Sequence, residues 1–149
     1  MSAFVAAGAG FLLAVLWFDL MFDVQALGHG GGQLPERVLD SIRGYYARVT
    51  TGARPMNRLV AAVMLGTLGT VIAEIADGKP SQAVSYTSLA LAAFAILLAG
   101  LRTVPSAVRL GSGRDSVADQ SALARSILHQ HLLCFAAIAS VLTLQLASS

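Results

Sequence analysis

Apolar and polar positions alternate along this chain in long blocks. Four apolar runs, 3–22, 59–76, 86–101 and 127–146, are separated and flanked by five polar segments. Each run is close to the roughly 20 residues that a helix needs to cross about 30 Å of hydrocarbon. The pattern predicts an all-α fold: an integral membrane four-helix bundle. The first run resembles a secretory signal in position only. It lacks a basic n-region and exceeds the usual h-region length, so it reads as a retained span.

Between the first two spans, Gly28-His29-Gly30-Gly31-Gly32 forms a flexible connector. No Gly-Lys-Ser/Thr continuation follows, which excludes a phosphate-binding P-loop. Residues 34–50 then follow helical spacing, with Val38, Ile42, Tyr45 and Val49 on one side and Glu36, Asp40, Arg43 and Arg48 on others. Too short and too charged to span, this amphipathic helix is expected at the interface, along the membrane surface or across the bundle mouth. Pro35 is expected in its first turn, with Tyr45 and Tyr46 at headgroup level. Asp77-Gly78-Lys79-Pro80 predicts a tight turn joining antiparallel neighbours. Thr103-Val104-Pro105 predicts the end of the third helix or a kink in it. Ser116 with Asp119 resembles a capping box opening the fourth.

Small residues recur at four-residue spacing: Ala6, Gly10 and Ala14, then Ala62, Gly66 and Thr70, then Ala95 and Ala99. In lipid such stripes let helices approach closely, either within the bundle or at a dimer seam.

Composition sharpens the class. Of 149 residues, 56% are hydrophobic and only 12% charged, with a mean hydropathy of +0.70. The spans leave no length for a second domain, so residues 1–149 read as one transmembrane domain. A net charge of +2 gives no reason to expect nucleic acid. The lone Cys134 excludes a disulfide framework within one chain. Nine of the ten basic residues lie in the segments after spans one and three, and Lys79 is the tenth. Cytoplasmic loops carry the Lys/Arg excess, so both termini are expected outside the cytoplasm of a cell inner (plasma) membrane. The arginines also suit anionic headgroups.

The chemistry concentrates at the predicted cytoplasmic mouth. Asp19 and Asp23 lie one turn apart on one helical face. Asp19 is the deeper, where an unpaired carboxylate is costly. At similar depth stand Asn57, Arg58, Arg102, His129 and His131, with Arg109 nearby. Two accounts remain open. In the first, these residues bind and transform a small lipophilic or anionic molecule: Asp19, Asp23 and His131 act as acid/base groups, and Asn57, Arg58, Arg102, Arg109 and His129 hold the substrate. In the second, they form a structural ion-pair knot in an assembly subunit. Transport ranks third, because Glu74 near the other surface has no acidic steps leading to it.

His129 and His131 point about 200° apart on a helix, unlike an i, i+4 metal pair. No metal site is expected within one chain. The cofactor is unknown, and haem or metal at a subunit interface stays open. The expected partners are the bilayer and either further copies of the chain or a membrane complex.

Three stretches carry a resemblance: Arg54-Pro55-Met56-Asn57-Arg58-Leu59, Arg102-Thr103-Val104-Pro105-Ser106-Ala107-Val108-Arg109-Leu110 and Ile127-Leu128-His129-Gln130-His131. In order and spacing they resemble the anthrone-oxygenase-like family of small four-helix membrane proteins, most of them without known function. A second, topological likeness is to the membrane-associated eicosanoid and glutathione metabolism family, which implies a cytoplasmic-side site and a trimer.

Overall fold

The computed structural model describes residues 2–52, 54–78 and 81–148. Helix α1 (Ser2–Asp23) runs into a 3₁₀ turn at Val24–Ala26, and a loop leads to α2 (Glu36–Ala47). A π-helical turn, Arg48–Gly52, precedes α3 (Arg54–Asp77). Next come α4 (Gln82–Leu98), a second π turn at Ala99–Thr103, α5 (Val104–Ser112) and α6 (Val117–Ala147). Four segments are long and apolar enough to cross a membrane: Ala3–Ala26, Pro55–Asp77, Gln82–Ser112 and Val117–Ala147. The molecule is an all-helical membrane bundle.

The third span does not end at Pro105. It widens into the π turn, where the Thr103 hydroxyl reaches the Leu98 carbonyl at 3.4 Å, and continues as α5. Pro105 then falls in the first turn of α5, where its missing N–H costs nothing. The helix stops at Gly113, whose φ of +63° suits a glycine C-cap. Ser116 opens α6 as expected, its Oγ accepting the Asp119 N–H at 3.1 Å. At 31 residues, α6 is about 46 Å long and extends well past the hydrocarbon.

Two apolar cores follow. The membrane core joins Val5, Ala9 and Leu12 of α1 with Val71, Ala92, Ala95, Cys134, Ile138 and Val141. The second lies at the end where α1 finishes. There Val38, Leu39, Ile42 and Tyr46 of α2 pack on Ala107 and Leu110 of α5 and on Ala124, Ile127 and Leu128 of α6. Helix α2 therefore closes the bundle mouth with its apolar face turned inward. Pro35 precedes its first turn, its carbonyl accepting from Val38 at 2.9 Å. The α2–α5 crossing requires Gly111: a Cβ there would stand 2.8 Å from the Ala47 backbone nitrogen.

Within the chain, the stripes of α1 and α3 do not make the close helix approach. A Cβ on Gly10 or Gly66 would meet nothing within 4 Å, and Ala14 and Ala62 are exposed. Gly8 makes the close approach instead, against Thr67 of α3. In helix α4, Ala95 is buried as the stripe implied. Gly78 closes α3 with φ +67°, while Lys79 and Pro80 of the predicted turn lie outside the described residues.

Candidate functional site

Five side chains from three helices meet beneath α2. The one-turn spacing of Asp19 and Asp23 brings both carboxylates to the same side of α1. Consecutive tyrosines on α2 divide between them: the Tyr45 hydroxyl donates to Asp19 Oδ1 and the Tyr46 hydroxyl to Asp23 Oδ1, each at 2.6 Å. His131 of α6 stands between the acids, its Nδ1 2.6 Å from Asp23 Oδ2 and its Nε2 3.8 Å from Asp19 Oδ2. Asp23 is wholly buried and Tyr46 and His131 nearly so, whereas Asp19 keeps a partly exposed edge. Phe22 stacks on Tyr45 with centroids 4.1 Å apart, and fixes the ring that serves Asp19.

Electrostatics give the tyrosines one role. Burial, and then the Asp23 charge, pushes the Tyr46 hydroxyl far above the ordinary phenol range, and burial with Asp19 does the same for Tyr45. Both hydroxyls stay protonated and serve as donors. Two acids, two fixed donors and one imidazole answer one another, and tie α1, α2 and α6 together at the mouth.

The other predicted site residues are elsewhere. Arg58 and Arg102 are exposed, so the clamp expected from them does not form around Asp19 and Asp23. Asn57 donates to the Thr50 carbonyl at 2.9 Å and caps the π turn entering α3. Arg109 makes a two-pronged, exposed pair with Asp115, at 2.8 and 3.0 Å. His129 donates to the Arg125 carbonyl of its own helix at 2.8 Å. Among the described residues, His131 is the only basic side chain within salt-bridge distance of Asp19 or Asp23. No group of three or more His, Cys, Asp or Glu suited to a metal occurs among them either.

Tyr45 and Tyr46 are the members that sequence reasoning missed. A signal existed, since both extend the buried Val38/Ile42 side of α2, but a headgroup-level aromatic was the simpler reading. Arginine also contributes outside this cluster. Arg43 bonds Asp40 and, at 3.2 Å, Gln120, while Arg125 bonds the Gly32 carbonyl and ties down the glycine connector. An open groove of about 420 Å³ lies between α2 and α5, lined by Asp40, Arg43, Gly44, Ala47 and residues 111–113. It does not include the Asp–His–Tyr cluster.

Comparison with known proteins assigns the family. Residues 1–148 match the model of the SHR3 chaperone family, described as ER membrane protein SH3, and the chain belongs to that family. This overturns the anthrone-oxygenase-like assignment: the short motifs at 54–59, 102–110 and 127–131 are outweighed by a match across nearly the whole chain. The description also names the ER membrane in place of the plasma membrane expected above. No curated protein matches the chain, and no solved structure does.

Proposed function

We propose that this member of the SHR3 chaperone family is a non-enzymatic assembly factor of the endoplasmic reticulum membrane that attends other polytopic membrane proteins before they assemble. The family match over residues 1–148 carries the reading. The site chemistry supports it. Asp19, Asp23, His131, Tyr45 and Tyr46 spend their bonding capacity on one another, and the arginines that a ligand clamp would need are dispersed. The cluster is the fastener that keeps α2 across the mouth. The spans also expose large apolar side chains, Leu65 and Ile72 of α3 among them, to lipid or to a client helix.

The test is a pull-down of the tagged chain from ER membranes in mild detergent, paired with depletion of the chain from cells. Incompletely assembled multi-span proteins should co-purify with it. On depletion the same proteins should aggregate and stay in the ER. Normal folding and export of membrane proteins without the chain would sink the proposal.

A further inference from the structure

The cluster at the mouth sets one imidazole between two carboxylates, and that arrangement favours one protonation state. His131 presents Nδ1 to Asp23 Oδ2 at 2.6 Å and Nε2 to Asp19 Oδ2 at 3.8 Å. The other oxygen of each acid is already taken, by the Tyr46 and Tyr45 hydroxyls. A neutral imidazole carries one N–H and one lone pair, so it can answer only one of the two acids. The imidazolium offers an N–H and a positive charge to both.

The surrounding groups do not replace that charge. On α2, Tyr46, 3.4 Å from Nδ1, and Tyr45 keep their protons and act as donors. About one turn along α6, Cys134 donates to the Ala95 carbonyl of α4 at 3.5 Å. Arg102 is exposed, and Arg109 of α5 is exposed and paired with Asp115. With both acids ionised, withdrawing the ring proton leaves two carboxylates unanswered where one was, and turns a lone pair toward one of them. The repulsion has one outlet. Asp23 is wholly buried, whereas Asp19 keeps an exposed edge, so Asp19 is the acid that turns to water, and Tyr45 loses its partner. Helix α2 can give at that end. Its approach and earlier turns are tied to α6, the Leu34 N–H donating to Ser121 Oγ at 2.9 Å and Arg43 to Gln120 at 3.2 Å. Its last turn carries Tyr45 and Tyr46 and runs into the π turn at Arg48–Gly52.

We propose that Asp19, His131 and Asp23 form a proton-operated latch: the imidazolium holds the Tyr45–Tyr46 end of α2 across the mouth, and loss of its proton releases that end. The latch rests on the fastener reading of the cluster, and its test is separate from the client test of the chaperone role.

The experiment follows amide exchange across the purified full chain in detergent from about pH 6 to about pH 9, the range in which imidazoles exchange their protons. Rates are expressed as protection over the free chain, which removes base catalysis of exchange. In the wild type, protection of residues 42–47 should fall about tenfold or more as pH rises, while residues 134–141 of α6 keep theirs. Asp19→Asn keeps the shape and removes one acid, so a neutral ring suffices and α2 should stay protected throughout. His131→Gln removes the proton carrier and should leave α2 equally open at every pH. His129→Gln, whose imidazole bonds its own helix, should respond as the wild type does. Constant protection in the wild type, release toward acid instead, or an undiminished response in Asp19→Asn or His131→Gln overturns the latch. A loss shared equally by α2 and α6 is global unfolding and overturns it too.

Discussion

His131 Nδ1 lies 2.6 Å from Asp23 Oδ2, although 108 residues of chain separate the two. The bond joins the end of the first span to the middle of the last, and the Tyr46 hydroxyl donates to the other oxygen of the same carboxylate. Asp23 is therefore the pivot of the cluster. The more exposed Asp19 is its satellite.

Sequence depth alone makes Asp19 the costlier acid to remove, and the geometry reverses that order. Asp23→Ala strands a buried histidine and a buried phenol at once. Breaking such a buried pair costs about 3–5 kcal/mol in soluble proteins, an upper bound beside a membrane. Asp19→Ala frees a half-buried tyrosine and should cost about 1 kcal/mol. Melting curves of the two variants in one detergent check the order, and a larger loss for Asp19→Ala would refute it.

Tyr46→Phe deletes one hydroxyl and keeps the ring. The loss of its bond should cost about 1–2 kcal/mol near neutral pH. Its pH profile is more specific. The folded Tyr46 ionises above the ordinary value of 10.0, so its contribution is complete below that pH. As pH rises past 10, the unfolded chain sheds its phenolic proton first and stability falls. Melting temperature followed from pH 8 to 11 should decline more steeply in the wild type than in Tyr46→Phe. Parallel slopes would remove Tyr46 from the titrating group.

Gly111→Val drives side-chain carbon into the backbone of Ala47, where no flexible group can yield. Overpacking of this kind costs about 1–3 kcal/mol. The damage should be local, appearing as faster amide exchange in α2 and α5 while α1 and α3 stay protected. Uniform loss across the chain would indicate that the mouth and the membrane core unfold together.

Orientation is open to a direct measurement. With nine of ten basic residues in the segments after spans one and three, a glycosylation tag fused after Ser149 should be modified in the ER lumen. An unmodified tag in a folded protein would invert the assignment.

The spans were legible because crossing hydrocarbon demands a long apolar run, and no tertiary contact is needed to see one. The start of α6 was legible for a similarly local reason, the Ser116–Asp119 cap. Sequence also marks depth, which is why Asp19, Asp23 and His131 could be grouped. It says much less about azimuth. Arg58 and Arg102, grouped with the acids by expected depth, are exposed, whereas Tyr46 comes from a loop helix whose docking no span pattern encodes. The stripes meet the same limit within one chain: Gly8, off the Ala6 and Gly10 face, makes the tight contact while Gly66 looks outward.

The π turn at Ala99–Thr103 has a consequence of register. A π turn behaves as one residue inserted into an α-helix, and each residue turns the helix by about 100°. Everything after it, including the Ala107 and Leu110 side of α5, is rotated by that amount relative to the lipid-facing and core-facing sides of α4. That one residue sets which side of the rod meets α2. Removing it would fuse α4 and α5 into one rod, with Pro105 now in the helix interior and Leu110 aimed away from its seat under Tyr46. The lock at the mouth depends on counting residues as much as on the chemistry of those that form it.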